Sequence, residues 1–136
     1  MLEVKVALAA GGIFFLTGLL TGVWKYLHME RSEDHVAPNY VNIAHRAALM
    51  YSFACGLLGA LMYFSVLSAL VNLLAFGCLV VFFGGAVARY IQLGFTGETD
   101  NQFREGGLLL TVEMWLLIAG EIGGFLVIFT GFLLSF

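Results

Sequence analysis

The sequence predicts an all-α membrane protein, a polytopic bundle of four helices. Of its 136 residues, 61% are hydrophobic and 11% are charged, whereas a soluble domain carries about 25% charged residues. The apolar residues form four stretches, each near the roughly 20 residues that a helix needs to cross a bilayer, and two charged loops separate them. The length fits one domain, residues 1–136. The net charge of −3, without a basic patch, excludes a nucleic-acid partner.

The predicted spans cover residues 4–26, 40–66, 67–95 and 106–136. The first is longer than the apolar core of a signal peptide and lacks a small-residue cleavage site, so we expect it to be retained. Only a tight, uncharged turn at residues 65–68 separates the second span from the third. All four should be helices, because lipid offers no hydrogen-bond partners to irregular backbone.

The basic residues predict the orientation of these spans. One, Lys5, lies at one side of the membrane, and the other five lie at or near the opposite side: Lys25, Arg31, Arg46, Arg89 and Arg104. Cytoplasmic loops are enriched in lysine and arginine. We therefore expect an integral membrane protein with cytoplasmic loops at 27–39 and 96–105 and with both termini outside.

Small residues spaced four apart mark expected helix contacts, since such stripes let backbones approach closely within or between subunits. They are Gly18 and Gly22 in the first span, Gly120 and Gly124 in the fourth, and Ala48, Ser52, Gly56 and Ala60 in the second. Four helices leave little room for an internal cavity, so we expect a ligand pocket between subunits rather than inside one chain. Cys55 and Cys78, without a C-x-x-C motif, are expected to be small buried residues.

Three charged residues are predicted to share one layer of the membrane. At 1.5 Å per residue, Arg46, Arg89 and Glu113 each lie about 10 Å into their spans. Charges at this depth are costly and need partners. Glu113 forms a salt bridge with Arg89 or Arg46 in one interpretation, which suits a structural or accessory subunit. In the other, an arginine is free to bind an anionic ligand from the cytoplasm.

Glu121 lies deeper, at a level comparable to that of Asn72. A hydrogen bond between the two is one interpretation. A carboxylate that relays protons or binds a cation is the other, and it would suit a proton-coupled transporter. Glu113 is eight residues from Glu121, too far around the helix for a shared carboxylate pair.

Asn42, His45 and Arg46 share one face near the cytoplasmic end of the second span. His45 is a candidate ligand of haem or a metal, and the alternative is a hydrogen bond between helices. His28 and His35 lie in or beside the first loop, but their spacing to His45 matches no metal motif.

Two segments resemble the MAPEG family, the small membrane proteins of eicosanoid and glutathione metabolism. HRAALMYSF, which begins at His45, is similar to the family's R-A-x-x-N-x-x-E segment, and RYIQLGF, which begins at Arg89, is similar to the close of its third helix. The resemblance implies a homotrimer or another homo-oligomer. It also implies a ligand held between subunits by Arg46 and Arg89, with Tyr90 as a catalytic group. Met50 and Phe53 replace the family's asparagine and glutamate, which places glutathione as a cofactor in doubt.

Ala44-His45 also resembles the haem-ligand position of styrene oxide isomerase, another four-helix membrane protein. This resemblance implies haem b on His45, with Tyr90 and Asn101 near a substrate. The sequence thus predicts a membrane protein that binds an anionic or amphipathic small molecule near its cytoplasmic face. Whether it is an enzyme, of the glutathione-transferase or epoxide-isomerase type, stays open at this point.

Overall fold

The computed structural model describes residues 1–136, apart from the side chain of Glu105. Four long helices and one short one follow in order: α1 (Leu2–Arg31), α2 (Asn39–Phe64), α3 (Ala69–Thr96), α4 (Gln102–Glu105) and α5 (Leu108–Leu133). The four long helices are long and apolar enough to cross a membrane. The predicted all-α architecture with four candidate spans is therefore confirmed.

Helix α1 continues past its predicted end at residue 26, as far as Arg31. Its 30 residues at 1.5 Å each correspond to about 45 Å, longer than the roughly 30 Å hydrocarbon core of a bilayer. The charged last turn therefore fits the polar headgroup region, where it needs no apolar neighbours.

Glycines on α1 let this helix approach α2 closely. A Cβ atom built on Gly18 would lie 2.5 Å from Leu49 Cδ2, and one on Gly22 would lie 2.9 Å from His45 Cε1. The first glycine pair thus forms a helix contact, as predicted. Of the small residues expected at the contact on α2, Ala48 is buried but Ala60 is exposed. The buried residues of α1 recur at intervals of three or four, the pattern of left-handed helix pairs: Glu3, Ala7, Gly11, Phe14, Gly18 and Thr21.

Helix α5 packs on α3 through the predicted glycine pair Gly120 and Gly124. Gly120 contacts Phe82, and a Cβ atom on Gly124 would lie 2.9 Å from the carbonyl oxygen of Ala75. Near the C-terminus of α5, the Val66 N–H donates to the Gly131 carbonyl oxygen at 3.1 Å. The C-terminal half of α5 is therefore held tightly against α3 and the α2–α3 turn.

The first half of α5 packs loosely. The buried residues of α5 are Gly124, Ile128 and Gly131, all in its second half. Large side chains of α5 at the facing positions, among them Leu110, Met114 and Leu117, separate α3 and α5 here. A cleft results between these two helices at the end of the bundle that carries the two charged loops.

Three contacts bring the charged loops together. The Asn39 side chain donates to the Asp100 carbonyl oxygen at 3.0 Å, and the Gln102 N–H donates to the Tyr40 hydroxyl at 2.7 Å. Tyr40 in turn stacks on Tyr90, with ring centroids 6.1 Å apart. The loop after α3 is thereby fixed to the start of α2, so that charge gathers at one end of the bundle.

The two cysteines differ in their surroundings. Cys55 is fully buried at the α1–α2 contact, as predicted. Cys78 is exposed, and its thiol lies 3.7 Å from the Gly120 carbonyl oxygen on α5. The prediction of burial is wrong for Cys78, because α5 covers only one side of this part of α3.

Candidate functional site

The cleft between α3 and α5 has an apolar inner part with a volume of about 360 Å³. One face of α3 and one face of α5 line it, in each case at intervals of three and four residues. These residues are Phe82, Ala86, Arg89 and Tyr90 on α3, and Leu110, Glu113, Met114 and Leu117 on α5. The cleft is open on one side, so the expected pocket between subunits stays a prediction.

The cleft continues outward into a polar part of about 480 Å³. Arg89, Gln102, Leu110 and Glu113 line both parts and so mark the junction between them. The loop before α5 adds further polar groups to the outer part: Glu98, Thr99, Gly106 and Gly107. The cleft is thus amphipathic along its length, from an apolar interior to a polar mouth.

The inner part of the cleft also opens sideways between the two helices. Val81 and Leu116, one on each edge of the opening, are 71% and 58% exposed. At their level in the span these side chains face lipid in a bilayer. A molecule dissolved in the membrane therefore has a direct route to the cleft.

Arg89 and Glu113 lie at the cleft junction without forming an ion pair. The Arg89 Nη1 atom donates to the Gln92 side-chain oxygen at 3.1 Å, and among the described residues the one ion pair is between the N-terminus and Glu3. The predicted salt bridge from Glu113 to Arg89 or Arg46 is therefore wrong. Both charged groups keep hydrogen-bonding capacity for another molecule.

Gln102 adds a polar group at the same junction. Its backbone is fixed by the bond to Tyr40, while its side-chain oxygen is buried and has no hydrogen-bond partner among the described residues. A buried acceptor without a partner is unfavourable. A donor group on a bound molecule would satisfy it.

Three other predicted site residues lie outside this cleft. Arg46 is exposed on α2 and lines neither part of the cleft. The Asn42 side chain donates to the Ala37 carbonyl oxygen at 3.0 Å and so holds the start of α2. Asn101 caps α4, because its side-chain oxygen accepts from the Phe103 N–H at 3.0 Å. Asn42 and Asn101 thus have local structural bonds in place of contacts in the cleft.

His45 lies between α1 and α2, with its ring against Gly22. Its Nδ1 atom is 2.8 Å from the Gly18 carbonyl oxygen. A carbonyl oxygen can only accept, so Nδ1 carries the proton and Nε2 presents its lone pair. The described residues make no hydrogen bond to Nε2, and the ring is half-buried.

Glu121 and Asn72 do not meet. The Asn72 side chain accepts from the Ser65 hydroxyl at 3.3 Å and donates to the Leu67 carbonyl oxygen at 3.4 Å, so it stabilises the α2–α3 turn. The Glu121 Oε1 atom is buried with no partner among the described residues. The predicted hydrogen bond between these two side chains is wrong, because the turn supplies nearer partners to Asn72.

Histidine, cysteine and carboxylate side chains do not gather into a group of three or more that would hold a metal ion, within the described part of the chain. His35 instead lies 3.0 Å from the Met29 carbonyl oxygen through Nδ1, and the His28 ring lies beside Trp24. Of the three histidines, His45 is the one whose ring bonds to a carbonyl oxygen of another membrane-spanning helix.

Sequence reasoning identified Arg89, Tyr90 and Glu113 but missed Gln102, Phe82 and Met114. The missed helix residues lie near those identified. Phe82 is seven residues, or two helical turns, before Arg89, and Met114 is the residue next to Glu113. Gln102 carried no such signal, since its place depends on the long-range bond to Tyr40.

Comparisons with protein-family models, curated proteins and solved structures find no match for this chain.

Proposed function

We propose that this chain is a membrane protein that binds an amphipathic small molecule in the cleft between α3 and α5. The observation that carries the proposal is the gradient along one cleft, from Phe82 and Met114 inside to Arg89, Gln102 and Glu113 at the mouth. An acyl or other apolar chain fits the inner part. The headgroup then lies at the level where the bundle meets the polar face of the membrane.

The charges at the mouth define the headgroup further. Arg89 offers a planar set of donors suited to a phosphate or carboxylate. Glu113 and the unpartnered oxygen of Gln102 are acceptors. The headgroup that satisfies all three carries an acidic group together with an N–H or O–H donor.

The resemblance to the MAPEG family agrees with this proposal at Arg89 and Tyr90, which line the cleft. It does not extend to glutathione, because Met50 and Phe53 are 64% and 72% exposed on α2 and offer no polar contact. Tyr90 beside Arg89 is the candidate catalytic group if the bound molecule is transformed. A homotrimer with the loops in the cytoplasm remains part of the proposal.

Lysophosphatidylethanolamine, which carries a phosphate and an ammonium group on one acyl chain, is a suitable probe. We expect saturable binding to protein reconstituted in phosphatidylcholine nanodiscs. Arg89→Gln should weaken the binding by about tenfold to a hundredfold, since a hydrogen bond to a charged group contributes roughly 1.5–3 kcal/mol and about 1.4 kcal/mol is tenfold.

Arg104→Gln is the matched control, because Arg104 is an exposed arginine of α4 that does not line the cleft. It should leave the affinity for the probe unchanged. Lysophosphatidylcholine, which keeps the phosphate but lacks N–H donors, should bind more weakly than the probe. Equal losses in the two arginine variants would contradict the proposal and indicate a general charge effect.

A second candidate function rests on His45. Histidines that ligate metals usually donate their other ring N–H to a carbonyl or carboxylate, which fixes the ring and the tautomer. The contact of Nδ1 with the Gly18 carbonyl oxygen has this form, so His45 is the residue that would hold haem b. Bound there, haem would supply a Lewis-acidic iron, as expected for the isomerase that Ala44-His45 resembles.

The test of this second function is an absorption spectrum of protein purified from haem-supplemented cells. We expect a Soret band that His45→Ala removes and that His35→Ala, which alters an exposed loop histidine, leaves intact. Wild-type protein without a Soret band would exclude the haem function and would leave the amphiphile proposal unaffected.

A further inference from the structure

A second cavity, separate from the amphipathic cleft, surrounds Glu121 near the middle of the predicted span of α5. It has a volume of about 300 Å³ and lies between α2, α3 and α5. Glu121 is its only charged lining residue, and the others are apolar: Ala54, Leu57, Leu58, Leu79, Phe83, Ile122 and Phe125. A carboxylate thus faces an otherwise apolar space.

The Glu121 carboxylate has no counter-charge in the described structure. Its Oε1 atom is buried and without a hydrogen-bond partner, and no basic side chain lines the cavity. An ionised carboxylate away from water is unfavourable unless a cation or donors accompany it. The site therefore needs either a proton on Glu121 or a cation that enters the cavity.

The walls of the cavity favour an organic cation over a metal ion. A bare metal ion needs several oxygen or nitrogen ligands, and the cavity offers one carboxylate. Two phenylalanine rings, Phe83 and Phe125, line the cavity, and aromatic faces attract cationic groups. The remaining aliphatic side chains suit the apolar substituents of such a cation.

Access to the cavity is from the membrane. Leu57 and Ile122, which line it on α2 and α5, are 58% and 57% exposed, and at this depth their exposed surfaces face lipid. A cation with large apolar groups partitions into the bilayer, and so reaches this opening.

We propose that the Glu121 cavity binds a lipophilic organic cation, in exchange for the proton that Glu121 carries when the cavity is empty. The proton leaves the carboxylic acid as the cation arrives, so the charge of the site is balanced in both states. This site shares no lining residue with the cleft that holds Arg89.

Binding should therefore weaken as the pH falls, because protons compete with the cation for the carboxylate. The Glu121 carboxylate interacts electrostatically with two ionisable groups of neighbouring helices, the hydroxyls of Tyr51 on α2 and Tyr90 on α3. Both are neutral in the acidic range, where a carboxyl group titrates, so Glu121 is the group that gives the pH dependence.

Tetraphenylphosphonium, a permanent lipophilic cation, is the probe for equilibrium binding to the purified full-length protein. We expect Glu121→Gln to weaken its binding by about tenfold or more, and to remove the dependence on pH. Glu30→Gln, which neutralises an exposed carboxylate near the end of α1, should leave binding unchanged. Tetraphenylborate, an anion of the same shape, should not bind.

A measurement on the unmodified chain guards against a folding defect in the variant. Dicyclohexylcarbodiimide, an apolar reagent that modifies protonated carboxyl groups, should label Glu121, and tetraphenylphosphonium should protect it. The proposal is overturned if wild-type protein does not bind the cation, if Glu121→Gln binds it equally well, or if tetraphenylborate binds as tightly. Equal losses of binding in Glu121→Gln and Glu30→Gln would also overturn the proposal, because they would indicate a general charge effect.

Discussion

Tyr40 is the residue that connects the candidate cleft to the rest of the bundle. It is buried, it accepts the Gln102 N–H at 2.7 Å, and its ring stacks on Tyr90. Gln102 and Tyr90 both line the cleft. The position of two cleft residues thus depends on one hydroxyl and one ring at the start of α2.

The Tyr40→Phe variant separates these two contributions, because it removes the hydroxyl and keeps the ring. We expect the free energy of local opening of the loop around Gln102 to fall by about 0.5–1.5 kcal/mol, the usual net contribution of one hydrogen bond. Hydrogen exchange at the Gln102 amide should become faster by the corresponding factor of about two to ten. Tyr63→Phe, at an exposed tyrosine, is the control and should leave this amide unchanged. Unchanged exchange in Tyr40→Phe would show that the bond does not hold the loop.

The contrast between Asn72 and Glu113 shows which side-chain contacts the sequence can predict. Depth along a helix follows from 1.5 Å per residue, and this arithmetic brought Arg89 and Glu113 to one level, where they line one cleft. The same arithmetic did not predict which groups these side chains would bond to. Asn72 bonds to Ser65 and Leu67 within its own turn, and short-range partners of this kind compete strongly with distant ones.

At the scale of the element, the position of glycines along α5 determines the shape of the cleft. Gly120 and Gly124 allow α5 to contact α3 closely, whereas the loop end of the same helix carries Leu110 and Met114 at the facing positions. The two helices are therefore close at one end and apart at the other. Opening of the cleft follows from the order of small and large residues in the sequence.

Gly124→Ala should destabilise this contact. The added Cβ would lie 2.9 Å from the Ala75 carbonyl oxygen and 3.0 Å from Leu79 Cγ, and overpacking of this kind costs about 1–3 kcal/mol. The neighbouring Gly123 has nothing within 4 Å of its added Cβ, so Gly123→Ala is the matched control. Thermal unfolding in detergent should occur at a lower temperature for Gly124→Ala only. Equal unfolding temperatures for the two variants would contradict the close α3–α5 contact.

The number and type of the long helices could be predicted because lipid restricts backbone structure to helices. The short helix α4 was not predicted, although Asn101 before Gln102–Glu105 is a typical N-cap. Its side-chain bond to the Phe103 N–H competes with the role of ligand that the resemblance implied for Asn101. A polar residue in a loop is therefore ambiguous in sequence until its backbone neighbours are known.

At the scale of the whole molecule, the chain offers two cavities with different chemistry. One lies at the end of the bundle that carries the charged loops, with Arg89 and Glu113 at its mouth. The other lies deeper, around Glu121, with apolar walls. Both have exposed apolar edges, so in a bilayer both are reached from the lipid, which suits a protein whose ligands dissolve in membranes.

The central claim is that the cleft between α3 and α5 holds an amphipathic molecule with its headgroup at Arg89. Its most direct test is photo-crosslinking of the reconstituted protein by lysophosphatidylethanolamine with a diazirine near the end of its acyl chain. Mass spectrometry should locate the label on Phe82, Met114 and Leu117, which line the inner part, and excess unlabelled lipid should prevent the labelling. Label on exposed residues of α1, such as Leu8 or Leu19, that excess lipid does not reduce would contradict the claim.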